Sequence, residues 1–251
     1  MNPLFKNYGI GVGLRPTHYS EFIGRKPTSV DWVEVITENF LPWGDITASN
    51  NLKSYRNLLK IRHEVPVALH GVSLNLGSVD ELNYEYLIKL KKLKQTVNPI
   101  WVSDHLTWTG VHGQNLHDLL PLPYTEEVID HVTNKIMKVQ DFLGDRLIIE
   151  NVSSYIEYQT SEISEMEFIA EVCKRSGCGI LLDINNIYVS SVNHNFNAHS
   201  YIDHMPKNQI AQIHLAGHIK KSNHLIDTHS TPVCDEVWSL YKYTIDKIGR
   251  V

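Results

Sequence analysis

Several features that define common protein classes are scarce or missing in this 251-residue sequence. No stretch approaches the roughly 18 consecutive apolar residues that a membrane-spanning helix needs. The N-terminal residues lack the basic-then-apolar layout of a signal peptide. The three cysteines have no CxxC spacing, which argues against a thiolate zinc site and against a disulfide framework. We therefore expect a reduced, cytoplasmic bacterial protein with no membrane contact.

Positive charge and nucleotide-binding motifs are also in short supply. The chain has 23 Lys and Arg against 28 Asp and Glu, a formal net charge of −5. Proteins that bind nucleic acid usually carry a basic surface, so the composition gives no reason to expect that partner. Gly9, Gly11 and Gly13 are followed by Arg15 and Pro16 and lack the GxGxxG spacing of a dinucleotide site. GxSxG and P-loop motifs are absent as well.

What the sequence does have is a regular alternation of apolar, β-branched runs and amphipathic segments. This pattern predicts βαβ units and a parallel sheet, and the length suits one (β/α)8 TIM-barrel domain over residues 1–251. Seven candidate strands are one fewer than a closed barrel has, so we expect the last strand to be missing from this chain. The predicted strands are 9–14, 31–36, 65–70, 100–105, 146–151, 179–184 and 209–217, and helices are predicted at 80–97, 124–144, 164–177 and 234–249.

The second abundance is histidine, with 14 in the chain. In a parallel barrel the ligand site forms at the carboxyl ends of the strands, and here those ends carry possible metal ligands. Five of the predicted strands end at a possible metal ligand. Asp227 and His229, two positions apart in the chain, lie in the loop after the last of these strands. Taken singly, each of these residues has a commoner role than metal binding: a histidine is more often a surface residue, and Asp183 could cap the following turn. The five strand-end residues are His70, His105, Glu150, Asp183 and His214.

The whole set favours a multinuclear metal site. Buried carboxylates without a counter-charge cost several kcal/mol each, a cost that bound cations remove. Imidazole and carboxylate ligands without thiolate suit Fe, Mn or Zn. His70, His105 and Glu150 can hold one ion, and Glu150 can bridge to a second. Asp183 with His214, and Asp227 with His229, can serve the second and third ions, whereas His112, His117 and Asp118 in residues 109–118 are interpreted as solvated loop.

Many segments resemble the multinuclear non-heme iron-dependent oxidative enzymes, the MNIO family. These include "GVGLRPTHYSEF", "VEVITENF", "ALHGVSLNLGS", "WVSDHLTW", "LLDINNIYVSSVNH" and "IDTHSTPVCDEVWSLY", and the likeness runs from about residue 8 to the end. The family is similar to the xylose isomerase-like TIM barrels, which include apurinic endonucleases. The resemblance implies the same two ligand sets and adds Asn186 to Asp227 and His229 at the third ion. The endonucleases have histidine in place of Asn186, and a last-strand carboxylate normally completes the second site.

The resemblance also implies an activity. An MNIO enzyme uses two or three iron ions (Fe2+/Fe3+) and dioxygen to oxidise cysteines of a ribosomally made precursor peptide, giving heterocycle or thioamide products. A partner protein that recruits the leader peptide, as a heterodimer, is implied too. The polar residues after strands that we expect to orient substrate are Glu38, Asn39, Asn75 and Ser154.

Two other functions remain open from the sequence. One is a hydrolytic phosphodiesterase or endonuclease of the same barrel type with two or three zinc or manganese ions. The other is a non-catalytic barrel that stores metal or binds a partner. The metal content of the purified protein separates these functions. Bound iron favours the oxidase and bound zinc the hydrolase, whereas a protein without any transition metal would be neither.

Overall fold

The strands form as the alternation of apolar runs predicts. A computed structural model describes residues 4–25, 29–41 and 49–249. The strands in that part of the chain are β1 (Gly11–Gly13), β2 (Trp32–Ile36), β3 (Val67–Gly71), β4 (Val102–His105), β5 (Trp108–Val111), β6 (Gln114–Leu120), β7 (Leu147–Glu150), β8 (Gly179–Asp183), β9 (Ile210–His214), β10 (His218–Lys220) and β11 (Leu225–Asp227). Among these described strands, seven are parallel and form one sheet in the order β1-β2-β3-β4-β7-β8-β9, and two antiparallel hairpins, β5–β6 and β10–β11, lie outside it.

Two of the predicted helices begin and end at capping residues. Ser164 and Glu167 form a reciprocal capping box, the Thr125 side chain accepts a hydrogen bond from Val128 N, and Gly144 and Gly177 end their helices with positive φ. None of the helices in the described residues is long and apolar enough to cross a bilayer. The helices are α1 (Tyr19–Phe22), α2 (Ser49–Glu64), α3 (Tyr84–Val97), α4 (Glu126–Leu143), α5 (Glu165–Ser176), α6 (Ile184–His194), α7 (Ala198–His204) and α8 (Asp235–Ile248).

Alternate residues of each strand face opposite sides of the sheet. One set, such as Val33 and Leu69, packs in the main core with the helices. The other set faces the barrel interior, where apolar side chains fill the end at which the strands begin. The Trp32 and Trp101 rings meet edge to face there, with centroids 5.3 Å apart. We call this second cluster the apolar floor: Trp32, Ala68, Trp101, Ile148, Leu181 and Ala211.

A bulge in β9 sets which of its side chains face inward. Ile180 pairs with Ile210, but Leu181 pairs with Gln212, so β9 has one extra residue against β8. After this shift, Asp183 stands directly opposite His214. The bulge therefore brings two of the predicted metal ligands side by side.

The hairpins differ from the sequence-based interpretation. The segment 109–118 was expected to be solvated loop, but it lies almost entirely within β5–β6. Its turn residues His112 and Gly113 both have positive φ, at 52° and 72°, as a two-residue hairpin turn of type I′ requires. Histidine is unusual at the first of these positions, which hid the turn. The loop prediction was wrong, although His112, His117 and Asp118 are solvent-exposed as expected.

Candidate metal centre

The parallel strands place six polar side chains in the barrel interior, five of them at or next to the carboxyl end of a strand. The sheet register aligns them: Ser103 and Asp104 of β4 pair with Ile148 and Ile149 of β7, so His105 stands opposite Glu150. Glu150 and Asp183 are 1% and 0% exposed, and the side chains of His70, His105 and His214 are 10%, 11% and 17% exposed. We call these residues the polar rim: Glu34, His70, His105, Glu150, Asp183 and His214.

One ligand group consists of His70, His105 and Glu150, whose donor atoms lie within 4.8 Å of one another. The Nε2 atoms of His70 and His105 lie 3.0 and 3.1 Å from Glu150 Oε2. His105 Nδ1 is 3.1 Å from the Gly71 carbonyl, to which it must donate. Burial lowers the pKa of His105 to about 4, so its ring is neutral at pH 7. A bare nitrogen lone pair therefore faces a carboxylate oxygen, an arrangement that a cation between them stabilises.

The second ligand group consists of Glu150, Asp183 and His214. His214 Nδ1 lies 3.1 Å from Glu150 Oε1 and 3.7 Å from Asp183 Oδ2. Asp183 Oδ1 accepts a hydrogen bond from Asn186 N at 2.7 Å, which caps α6. The predicted capping role and the predicted ligand role of Asp183 are thus compatible, because each uses a different oxygen.

Buried acceptor atoms test whether the rim fits a metal. Among the described residues, Glu150 Oε2, Asp183 Oδ2 and Asn186 Oδ1 are buried without a hydrogen bond. A buried polar atom left unsatisfied costs about 1–3 kcal/mol, and more for a charged group. These atoms lie on three of the predicted ligands. The donor set of imidazole nitrogens and carboxylate and amide oxygens fits Fe, Mn or Zn.

The protonation of the rim reflects the same crowding of charge. Burial opposes the ionised form of Glu150, but His105, His214 and His70 hold its pKa well below the usual range. Burial and the charge of Glu150 raise the pKa of Asp183 to about 7. Burial opposes protonation of His214, yet Glu34 and Glu150 raise its pKa well above the usual value. Without metal, protons on Asp183 and His214 therefore offset the negative charge of the rim carboxylates, and bound cations can take over that role.

The third predicted group is partly assembled. His229 Nε2 lies 3.2 Å from Asp227 Oδ2 and 3.7 Å from Asp183 Oδ2, which joins this pair to the second group. Asn186 Nδ2 donates to the Asn151 carbonyl, and its Oδ1 is buried without a hydrogen bond. Asn185, rather than Asn186, contacts Asp227 and donates to its Oδ1 at 2.8 Å. The His229 side chain is 41% exposed, which makes this the open side of the rim.

Sequence reasoning missed Glu34. One of its oxygens lies 2.8 Å from His214 Nε2, and the other accepts from Gln212 Nε2 at 2.6 Å. Burial opposes its ionised form, but His214 and His70 lower its pKa to about 2. The predicted ligands were residues at the end of a strand, whereas Glu34 lies inside β2. A carboxylate alternating with Val33 and Val35 in "WVEVI" was the available signal.

Asp104 was also missed, because it stands beside the predicted ligand His105. Its Oδ2 accepts hydrogen bonds from the backbone of Ser73 and Leu74, at 3.3 and 3.1 Å. Burial and the charge of Glu38 raise its pKa to about 8. Asp104 thus holds the loop after β3 rather than joining the rim.

The four residues predicted to orient substrate have different surroundings. Glu38 Oε1 accepts from Val72 N and from the Tyr86 hydroxyl, and Asn75 clamps the β5–β6 hairpin through the backbone of Thr109 and Gly110. Ser154 Oγ lies 2.7 Å from Nε2 of His194, the last residue of α6. The fourth residue, Asn39, is exposed in a short 3-10 helix, Thr37–Phe40. Their contact with substrate stays a prediction.

Comparison with known proteins decides the family. The model of the RiPP precursor modification enzyme MbnB/TglH/ChrH family matches residues 9–251. The chain belongs to this family. The resemblance noted in the sequence is thereby confirmed, and a role in modifying ribosomally made peptides is the activity that the family description carries.

Members of known sequence support this placement. The chain is 48% identical over 243 residues to a UPF0276 protein of Anaeromyxobacter sp. (strain Fw109-5), covering 97% of this chain and 83% of the relative. A UPF0276 protein of Caulobacter vibrioides (strain NA1000 / CB15N) is 47% identical, with 97% and 84% covered. One of Vibrio parahaemolyticus serotype O3:K6 is 41% identical, with 96% and 82% covered.

Solved structures show the fold. Endonuclease IV from Thermus thermophilus superposes with a TM-score of 0.55 at 13% identity, covering 96% of this chain and 87% of that one. A xylose isomerase domain protein from Planctomyces limnophilus gives a TM-score of 0.57 at 10% identity, with 98% and 86% covered. The chain thus has the fold of the xylose isomerase-like TIM barrels, as expected. At such low identity these likenesses carry no information on activity.

Proposed function

We propose that this protein is an iron- and O2-dependent oxidase that modifies cysteine residues of a ribosomally synthesised precursor peptide. We further propose that a partner protein binds the peptide leader and forms a heterodimer with this chain. Membership of the peptide-modifying family supports the substrate class. The observation that carries the metal-dependent chemistry is the polar rim, where buried ligand atoms of Glu150, Asp183 and Asn186 have no hydrogen bond.

The proposed ligands divide among three ions. His70, His105 and Glu150 hold the first, and Glu150, Asp183 and His214 the second, in agreement with the two compact donor groups. Asn186, Asp227 and His229 hold the third. The contact of His229 with Asp183 supports a third ion next to the second.

Bound iron, together with dioxygen, supplies one-electron oxidation chemistry that protein side chains lack. The chain's own residues prepare the ligands. Ser103 Oγ, 2.8 Å from His70 Nδ1, and the Gly71 carbonyl beside His105 Nδ1 leave both Nε2 atoms turned to Glu150. Glu34 accepts the Nε2 proton of His214, so that Nδ1 faces the second group. The apolar floor closes the opposite end of the interior to water, and the peptide therefore approaches from the exposed side, near His229.

The test begins with metal. Protein purified without air and loaded with Fe(II) should retain two or three iron ions per chain. Exposure to O2 with a cysteine-containing peptide encoded beside the gene should then change the peptide mass, while the Cys→Ser peptide should stay unchanged. Protein that retains no iron, or iron-loaded protein that leaves every neighbouring cysteine peptide intact, contradicts the proposal. Retention of zinc with O2-independent cleavage of abasic DNA supports the hydrolase instead.

A further inference from the structure

A separate cavity lies beside the polar rim and has no place in the proposed metal chemistry. It has a volume of about 230 Å³ and lies between the segment that follows β7 and the junction of α6 and α7. Its walls are mainly aromatic and aliphatic. The larger wall residues are Tyr124, Tyr158, Ile163, Met166, Phe196 and Tyr201.

The volume fits a single large side chain. An apolar cavity of about 150 Å³ can hold benzene, whereas pockets for drug-sized molecules span about 300–1,000 Å³. A space of about 230 Å³ lies between these limits. One phenyl, phenol, indole or large aliphatic group is therefore the size of occupant it accepts.

The polar groups in the cavity favour an uncharged occupant. Burial raises the pKa of Glu165 to about 8, so this carboxyl is mostly neutral at pH 7, and Tyr201 beside it is 2% exposed. His194 Nε2 lies 2.7 Å from Ser154 Oγ, so these two polar groups already bind each other. Glu157, a further wall residue, is 73% exposed and lies 3.5 Å from His194 Nδ1, so this carboxylate stands at the solvent edge of the cavity beside an imidazole. An ion placed deeper, among the aromatic side chains, would lose its water shell without a fixed opposite charge, which is costly. An aromatic or aliphatic group bears no such cost.

Chain connectivity places the cavity close to the proposed iron site. Ser154, in the cavity wall, follows the ligand Glu150 by four residues, so their Cα atoms are at most about 14 Å apart. Ser154 N also donates to Ser190 Oγ at 3.0 Å, and Ser190 lies one helical turn, about 6 Å, beyond Asn186 on α6. An extended peptide spans about 7 Å over two residues and 13 Å over four.

The cavity mouth carries exposed apolar residues. Ile156 is 47% exposed and lines the cavity, and its neighbour Tyr155 is 45% exposed. Tyr155 also touches the third ligand group, since its hydroxyl accepts a hydrogen bond from Asp227 N at 3.1 Å. Tyr155 and Ile156, adjacent in the chain, thus connect the third ligand group with the cavity.

We propose that this cavity binds one uncharged aromatic or large aliphatic side chain of the precursor peptide, two to four residues from the cysteine that is oxidised. The inference rests on the proposed function for its peptide, and it names a specificity site for that peptide. It predicts that substrates of this protein share such a side chain at a fixed distance from the modified cysteine.

Fluorinated probes test the cavity without needing activity. The first probe is N-acetyl-4-fluorophenylalaninamide, titrated into metal-free protein and followed by 19F NMR. Ile156→Glu places a charge at the mouth and, being exposed, should not disturb the fold. Ile88→Glu is the matched control, because Ile88 is 59% exposed on α3 and outside the cavity. We expect the probe to bind wild type and Ile88→Glu equally and Ile156→Glu at least tenfold more weakly.

Linked probes test whether the occupant belongs to the peptide. Acetylated peptides with cysteine and 4-fluorophenylalanine separated by one to three glycines are titrated anaerobically into iron-loaded protein. At one spacing, the linked peptide should bind at least tenfold more tightly than N-acetylcysteinamide or the aromatic probe alone, because the second contact becomes intramolecular. Ile156→Glu should remove that gain, and Ile88→Glu should keep it.

The outcomes separate this inference from the proposed function. Equal probe binding by wild type and Ile156→Glu overturns the cavity assignment, even if the iron-loaded protein oxidises peptides. Aromatic binding without a gain from linkage at any spacing also overturns it, and assigns the cavity to another occupant such as a partner side chain. Protein that retains no iron refutes the proposed function, whereas the metal-free titration still reports on the cavity.

Discussion

The polar rim and the apolar floor lie on the same side of the sheet, and on four strands, β2, β3, β7 and β8, their residues are only two positions apart. Ala68 precedes His70 and Ile148 precedes Glu150 by one pleat repeat. Yet the floor packs apolar surface against apolar surface, while the rim packs carboxylates against imidazoles. The floor stabilises the folded chain by burial, whereas the rim costs free energy unless protons or cations balance its charges. One barrel interior thus combines a stabilising layer and a functional layer.

Gln212 connects the two layers. Gln212 Oε1 accepts from Trp101 Nε1 of the floor at 2.7 Å, and its Nε2 donates to Glu34 of the rim. Substitutions in the floor should therefore change stability, and substitutions in the rim should change metal binding. Substitutions in each layer, and one in the neighbouring cavity, measure how far that division holds.

The largest effect is expected in the floor, from Trp101→Ala. Trp101 is 7% exposed and contacts Trp32 and Tyr8 by ring edges. Its loss should lower the free energy of unfolding by about 3–5 kcal/mol in urea titrations. Trp238→Ala, at a 46% exposed position on α8, should cost less than about 1 kcal/mol. If Trp101→Ala protein is still folded but no longer binds metal, then the floor also supports metal binding and the division between the two layers fails.

In the rim, Glu150→Gln should nearly abolish metal binding. Glu150 belongs to both compact donor groups, so its charge serves two ions. We expect metal affinity to fall by more than about 100-fold, beyond the effect typical of residues that only orient a ligand. Elemental analysis of the purified variant measures this. Glu127→Gln, at an exposed position on α4, is the control, and equal metal content in the two variants would remove Glu150 from the site.

A smaller loss is expected from Glu34→Gln, which changes the residue behind His214. Glutamine cannot supply the negative charge that holds His214 Nε2–H, so His214 should present Nδ1 less well to the second ion. The affinity of that ion should fall by about 10- to 100-fold, with the first ion retained. Competition with a metal chelator resolves the two ions. Loss of both ions together would mean that the groups bind as one unit.

The smallest effect concerns the cavity carboxyl and depends on pH. The pKa of Glu165 rises from its ordinary 4.5 to about 8 in the folded chain, because of burial. The unfolded chain therefore releases this proton first, and stability should fall as pH rises from about 4.5 to 8. Glu165→Gln should lack that fall. The difference should be on the order of 2 kcal/mol, less than the full shift allows, because the N-terminus of α5 favours the ionised form. The free energy of unfolding of both proteins is measured by urea titration from pH 5 to 8.5. The same pH dependence in wild type and Glu165→Gln would contradict the prediction.

Much of the fold followed from local signals. Strand alternation, the Ser164 capping box, and Gly144 and Gly177 act over a few residues, and the structure has strands and helices where these signals predicted them. The convergence of the strand-end side chains followed too, because parallel strands of similar length bring their ends together. Glu34 was missed because its role depends on His214, which is 180 residues away in the chain. The β5–β6 hairpin was missed because His112 is an uncommon turn residue.

The sequence by itself determined the parallel α/β barrel, the family, and the identity of the residues at the strand ends. These follow from periodicity, capping and motif, which are properties of neighbouring residues. Only the tertiary structure decided which side chains share an acceptor, which histidine nitrogen faces inward, and that the β9 bulge sets His214 against Asp183. It also formed the cavity between the segment that follows β7 and the junction of α6 and α7. Such features depend on the register and packing of distant segments, which no local pattern encodes.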